Sequence, residues 1–326
     1  MARRVAAEWR PPLLDPGPVP EVSARECREL VHWSGGSRRR PGDIRTAVTS
    51  PSPSSSYANP PVAEVALAVY FSPPMDLRSI HFGQLWERWR ERYPRSEDQP
   101  LLPPVGTEDV GPGASGIEVQ FVAGSPGTRV WYLSEDKCHV LQVQRDRLVL
   151  NWRRMSPDQG YPRYGTLRPE FGEALEALVG FAADQGLADP VIRQAEVTYV
   201  NPVPVSSVTP SEGLSGLLAP WSGRYSDDFL PAPEEMQILV RHRIPGVNGE
   251  PIGRLYIDCR SGLHQPVGTA TGPEHVYLLR LFARGRVLGG GVDGALEFLD
   301  LGHNWVVRGF TSVTTTSMHG NWGKER

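Results

Sequence analysis

The sequence predicts an α+β fold built as two pseudo-repeated halves, each an antiparallel sheet with helices packed on one face. Three observations predict it. Short runs of alternating apolar and polar residues, bounded by Gly, Pro, Asp and Asn, have the period of strands. Longer stretches place apolar residues three and four apart, the period of helices. The order of elements (strand, helix, run of strands, long helix) then occurs twice along the chain.

The first strand opens after Pro60-Pro61, where Val65, Leu67, Val69 and Phe71 alternate with Glu64, Ala66, Ala68 and Tyr70. Pro73-Pro74 stops it, and Asp76 is placed to cap a helix. Leu77, His81, Phe82, Leu85, Trp86, Trp89 and Tyr93 form that helix's aromatic stripe, ended by Pro94. Residues 95–116 read as a loop. A meander of four strands follows at 117–122, 128–134, 138–144 and 148–153, with turns at 124–127, 135–136 and 145–147. Pro169 suits the first turn of a second helix running to about residue 185, striped by Phe171, Leu175, Leu178, Val179 and Ala182 and closed by Gly186. The second half repeats this order. It has a strand at 192–200, a short helix at 211–218, and strands at 236–243, 252–259 and 276–283. A last helix after Gly289-Gly290-Gly291 carries Leu296, Leu299, His303, Val306, Val307 and Phe310 on one face. TATA-binding-protein-like and helix-grip folds share this element order, an analogy of fold that licenses no function.

A chain of 326 residues at about 150 residues per domain suggests roughly two domains. The expected boundaries are a low-order extension at 1–58, a first α+β half at 59–188 and a second at 189–326. Residues 1–62 hold ten prolines, and nine arginines against six acids give +3, which leaves −6 for residues 63–326. Such a segment buries too little apolar area to offset its chain entropy. A short helix at 24–33 is its only patterned stretch. Val48-Thr49-Ser50-Pro51 reads as a natural amino terminus, which makes Val48 an alternative start; N-terminal sequencing of the native protein that finds Met1 or Ala2 rules it out.

Only Lys137 and Lys324 are lysines; the other 32 of the 34 basic residues are arginines. Arginine forks match phosphate, but these are scattered among acids, so a compositional bias toward Arg, Ala, Gly and Pro is the preferred explanation. With a net charge of −3 and no basic cluster in the folded part, nucleic acid is not an expected partner. No apolar run reaches the ~20 residues of a membrane span, and Arg3-Arg4 lacks the apolar stretch that a twin-arginine signal needs. Cys27, Cys138 and Cys259 form no CxxC pair and no zinc spacing with histidine, which suits a reducing cytoplasm and predicts neither disulfide, metal nor cofactor.

Each candidate reactive group has a plainer explanation. His303, in Gly302-His303-Asn304-Trp305, could be a ligand or general base; a histidine hydrogen-bonded to the sheet backbone is preferred, as for His81. Asp258-Cys259-Arg260 lacks a patterned base, so Cys259 reads as buried core. Gly289-Gly290-Gly291 lacks the Gly-Lys-Ser/Thr of a phosphate loop. Asp227-Asp228 and Glu234-Glu235 read as solvated loop acids. The richest polar stretch is 142–164, where Gln142, Gln144, Asn151 and Arg153 alternate on neighbouring strands ahead of Tyr161-Pro162-Arg163-Tyr164. Alternate strand positions share a face, so this face is either a wet groove or the solvent side of the sheet.

From Asn59-Pro60-Pro61-Val62-x-Glu64 an ordered motif set runs through Gln144-x-x-Arg147, Asn151-Trp152-Arg153, Tyr161-Pro162-Arg163-Tyr164, Phe171, Tyr199-Val200-Asn201, His303, Phe310 and Trp322. In this set the chain resembles a sporadically distributed bacterial family of unknown function. Thr198 stands where that family commonly has arginine, and residues 1–58 lie outside the likeness. The resemblance implies no activity, cofactor or catalytic residue; its sporadic occurrence points to an accessory, defence or toxin–antitoxin setting. The expected function is a non-catalytic binding or interaction protein in the cytoplasm, taking a protein or small-molecule partner. Its expected binding residues are Asn151, Arg153, Tyr161, Arg163, Tyr164, Asn201 and His303. The alternative is an enzyme whose site joins His303 to Arg153 and Arg163.

Overall fold

Alternation within one strand sorts the whole sheet. In β1 (Glu64–Phe71), Val65, Leu67 and Val69 are fully buried on one side, while Glu64, Ala66, Ala68 and Tyr70 face the other. Directly paired residues share a face, so each register carries this sorting to the next strand. The computed structural model describes residues 56–106, 108, 127–208, 213–223, 225–227, 229–231, 233–246, 249–265, 272–287 and 289–325, all within the unit Pro51–Arg326.

Nine strands among the described residues form one antiparallel sheet. Its spatial order is β2 (Arg95–Gln99), β3 (Arg129–Leu133), β4 (His139–Gln144), β5 (Arg147–Arg153), β1, β6 (Ile192–Pro204), β9 (Glu274–Arg286), β8 (Pro251–His264) and β7 (Gln237–Pro245). β1 and β6 pair at the centre, with Val65 opposite Tyr199 and Leu67 opposite Val197. The apolar face packs against α1 (Ser79–Trp89), α2 (Tyr164–Asp184) and α4 (Gly291–Val313), joining Leu67, Leu141, Leu150, Trp152 and Val197 to Phe82, Leu85, Phe171, Leu178, Phe298 and Leu299 in one core. α3 (Leu214–Leu217) and α5 (Thr316–Asn321) are short; Thr315 caps α5 by accepting the Met318 N–H at 3.4 Å. Among the described residues the opposite face carries no helix. Over it lies an extended segment, residues 100–106 and 108, with Val105 packed on Ala66, Ala68, Tyr70 and Val149.

The structure corrects several expectations. The halves do not form separate sheets; β1 and β6 fuse them, a pairing between distant residues that local periodicity does not encode. Residues 95–99, read as loop, are the edge strand β2, whose Arg-Ser-Glu-Asp-Gln has no apolar alternation to reveal it. α1 starts at Ser79; Asp76 accepts from Arg145 instead, and His81 Nδ1 accepts the Arg78 N–H at 3.2 Å, which makes His81 a helix cap. α2 starts at Tyr164, with Pro169 inside it. Ser56 to Ala58, assigned to the extension, are ordered: Tyr57 is buried against Phe310 and Trp322 and bridges to Lys324. The predicted strand at 117–122 and helix at 24–33 lie outside the described residues. Among the described residues no helix is long and apolar enough to cross a membrane. Cys259 is buried as expected, its thiol pushed up to about 12 by burial.

α4 lies close to the sheet because glycines make room for it. A Cβ on Gly285 would stand 2.3 Å from the Ile252 carbonyl oxygen and 2.5 Å from the Phe298 ring, and one on Gly302 would stand 2.8 Å from Val197 Cγ1. Backbone cannot give way as a flexible side chain can. Gly285→Ala is therefore expected to cost about 2 kcal/mol or more, read as a lowered urea midpoint at unchanged slope.

Candidate functional site

The end of α4, the start of α2 and the outer part of β6 converge on a cavity of about 240 Å³, closed on a further side by Ser56, Tyr57 and Pro60. Its apolar wall is Leu281, Val306, Val307 and Phe310; its polar wall is Tyr161, Arg163, Tyr164, Tyr199, Asn201 and His303. Tyr199 belongs to the helix-facing side of β6, since it stands opposite Val65, which stands opposite Trp152. Its hydroxyl bonds Tyr161 Oη at 2.8 Å and His303 Nδ1 at 2.9 Å, a three-membered relay across the cavity wall. When Nδ1 accepts, Tyr199 donates to it, Tyr161 donates to Tyr199, and the outer oxygen is left as an acceptor. In the other tautomer every donor reverses. The outer end of the relay therefore serves a donor or an acceptor equally.

The side chains around the relay fix its geometry. The Tyr164 ring stacks on His303 at 4.0 Å between centroids and 4° between planes. The Tyr164 hydroxyl donates to Asp300 Oδ1 at 2.8 Å, and Arg168 grips the same carboxylate from Nε at 3.1 Å and Nη2 at 2.9 Å. Trp152 lies 5.4 Å from the Tyr161 ring. Asn201 donates to the Leu279 carbonyl at 3.0 Å. Arg163 is exposed at the rim, donates to the Tyr57 carbonyl at 3.0 Å and stands 5.7 Å over the Tyr161 ring. It precedes α2 with φ 69° and ψ 156°, a conformation that side chains avoid and glycine tolerates. One turn on, Pro169 has no N–H to give the Gly165 carbonyl, and Gly165 also lines the cavity.

Burial sets the protonation of the wall. It pushes His303 down to about 4 against the opposing pull of Asp300, and pushes Tyr161 up to about 12. Tyr199 and Tyr164 are also raised by burial, Tyr164 further by its bond to Asp300. At neutral pH the wall is an uncharged set of hydroxyls and one neutral imidazole, with cationic Arg163 at the rim.

Five of the seven expected binding residues thus meet here. Asn151 and Arg153 do not. Arg153 stands opposite Glu64 in the register, on the helix-free side of the sheet, and Asn151 shares that side. Asn151 donates to Glu64 and accepts from Gln142; Arg153 donates to the Lys137 carbonyl at 3.0 Å and lies over the Trp131 ring. The polar alternation of Gln142, Gln144 and Asn151 is buried, so it is not a solvated surface. The expected tie between His303 and the sheet backbone is instead a bond to the Tyr199 hydroxyl. Tyr57, Tyr199 and Phe310 complete the cavity. The signal for Tyr199 and Phe310 was their place in the motif set; Tyr57 gave none, standing in a Ser/Pro-rich stretch.

His303 yields a pH signature. Unfolded histidine titrates near 6.5 and folded His303 near 4. Between these values the unfolded chain holds the proton and the folded chain does not, so stability is complete above about 6.5 and is lost as pH falls toward about 4. From pH 7.5 to 5 the native chain is expected to lose about 1–2 kcal/mol more than His303→Gln, measured by urea unfolding at both values. No protein-family model matches the chain, and no curated protein matches it.

Proposed function

We propose that this chain is a binding protein without chemistry of its own, whose ligand is a single substituted ring with a hydroxyl at one end and an anionic group at the other. One observation carries the reading: residues far apart in the motif set, Tyr161, Arg163, Tyr164, Asn201, His303 and Phe310, surround one cavity. A dry cavity of about 150 Å³ takes a benzene, so about 240 Å³ suits a ring with substituents. Phe310, Val306 and Leu281 would cover its faces, the Tyr161–Tyr199–His303 relay would meet the hydroxyl, and Arg163 would meet the anion. A neutral, weakly basic His303 and tyrosines held protonated favour recognition over acid–base catalysis. The enzyme alternative needs Arg153 beside His303, and the two lie on opposite sides of the sheet.

The strand order supports reading the two halves as related. In each, the first strand pairs with the last strand of its meander (β1 with β5, β6 with β9), and a long helix, α2 or α4, follows. The two first strands meet at the centre, which is compatible with the TATA-binding-like order expected from the sequence. The helices would then be equivalent, and the cavity would lie where the start of one meets the face of the other.

The test is a titration with 4-hydroxybenzoate, followed by ligand-observed NMR and tryptophan fluorescence. Saturable binding is expected. Arg163→Gly should weaken it about tenfold. Absence of saturable binding of 4-hydroxybenzoate, phenol and benzoate, or binding undiminished in Val307→Trp, overturns the reading.

A further inference from the structure

A second feature lies on the other side of the sheet and is independent of the cavity. The segment beginning at Pro100 crosses the helix-free face from β3 to β8 and is held by the strands in their spatial order. Arg129 on β3 donates to the Pro100 carbonyl at 3.0 Å. Gln144 on β4 clamps Leu102, its Oε1 accepting the N–H at 3.0 Å and its Nε2 donating to the carbonyl at 3.0 Å. Arg147 on β5 donates to the Pro103 carbonyl at 2.6 Å. Val105 rests on Ala66 and Ala68 of β1, whose small side chains leave the trough it fills. Gln194 on β6 donates to the Gly106 carbonyl at 3.2 Å and accepts the Glu108 N–H at 2.7 Å. Glu108 ends the path: its carboxylate accepts from Arg254 and Tyr256 of β8, with Arg284 of β9 at 3.9 Å.

The segment lies here as a ligand lies in a groove. It pairs with no strand. Pro100, Pro103 and Pro104 remove N–H groups and favour the polyproline II conformation, which has three residues per turn. Burial follows that period: Leu102, Val105 and Glu108 turn inward, whereas Leu101, Pro103, Pro104 and Gly106 are exposed. The lengths agree. Eight steps at about 3.1 Å span about 25 Å, and six strand spacings from β3 to β8 span about 29 Å, a difference the long arginines at each end absorb. The sheet reads backbone carbonyls with side-chain forks and closes on one carboxylate, 6 % exposed, in an arginine–tyrosine socket.

We propose that the helix-free face is a docking groove for an extended, proline-rich peptide of a partner protein, with the pattern apolar-x-x-apolar-x-x-acid, and that residues 100–106 and 108 occupy it in cis. The occupant is inferred from the groove's own contacts: backbone-directed guanidinium and amide groups, an alanine trough for one branched apolar side chain, and a cationic socket six residues beyond the Leu102 clamp. Such a groove binds an external peptide only in the fraction of molecules whose own segment has left it, so apparent affinity falls by that fraction.

The probe is a synthetic peptide of residues 99–110, titrated against the full chain by fluorescence anisotropy. Glu108→Ala, which loosens the resident segment, is expected to bind it at least about tenfold more tightly than the native chain. Adding Arg254→Gln, or using the peptide with glutamine in place of its socket glutamate, should remove that gain. Binding to Glu108→Ala that is absent, or indifferent to both changes, overturns the proposal. If Glu108→Ala does not fold, hydrogen exchange on the native chain decides: saturating peptide should speed exchange at Leu102 and Glu108, and unchanged protection there overturns the proposal. The cavity reading fails or stands separately, through its ring compounds.

Discussion

The pairing of β1 with β6 is the constraint on which the rest depends. β1 precedes α1 and β6 follows α2 in the chain, and their antiparallel register places Val65 and Leu67 level with Tyr199 and Val197. A slip of one residue would turn every side chain of one strand to the wrong face. In the observed register the apolar sides combine into one surface, on which α2 and α4 lie together. That shared surface brings the start of α2, with Tyr161, Arg163 and Tyr164, against His303 of α4. The same register aligns Ala66 and Ala68 with Thr198 and Glu196 on the reverse side, making the trough under Val105. Both candidate sites are consequences of a single edge-to-edge contact.

The two sites use polarity differently because their burial differs. In the cavity, hydroxyls and one imidazole satisfy each other without net charge, so their burial carries little desolvation cost. On the reverse face charges are kept: Glu196 accepts from Arg284, Asp258 pairs with Arg280 at 3.1 Å, and Glu108 sits among Arg254, Arg284 and Tyr256. Buried ions hold their place only when paired and hydrogen-bonded. The resident segment completes that pairing at the β8–β9 end, so the face depends on an acid in its socket more than on apolar cover.

What the sequence reveals follows from where its signals are local. Strands with one apolar side, such as 64–71 and 276–283, and helices with a stripe, such as α4, are legible because alternation and helical period are properties of one segment. β2 is illegible because an edge strand needs no apolar side. The start of α2 is hidden because Arg163, which precedes it, has an unfavoured φ and no capping side chain. The site divides the same way. Tyr161, Arg163, Tyr164, Asn201 and His303 stand in recognisable motifs and meet. Asn151 and Arg153 stand in an equally recognisable motif and do not, because which side of the sheet they take is decided by the register of β5 against β1 and of β1 against β6. Parity within a strand can be read from sequence; parity between strands 40 or more residues apart cannot.

The arginine content gains a physical role that scattered positions concealed. Each of the 32 prolines deletes a backbone donor while keeping its acceptor, so a proline-rich chain has an excess of carbonyls. Several arginines donate to backbone carbonyls: Arg145 to Met75, Arg154 to Val62, Arg153 to Lys137, Arg286 to Pro251, Arg163 to Tyr57, and Arg129 and Arg147 to the segment on the sheet. A guanidinium does this with five donors in a rigid fork and weaker hydration than an ammonium, so it is less costly to hold half-buried beside a carbonyl. A lysine at these positions would keep the charge and lose the fork. The folded chain uses its arginines in two ways: some, such as Arg168, Arg280 and Arg284, pair with carboxylates, and others donate to backbone carbonyls bordering the sheet, which is also the chemistry by which the helix-free face holds its segment.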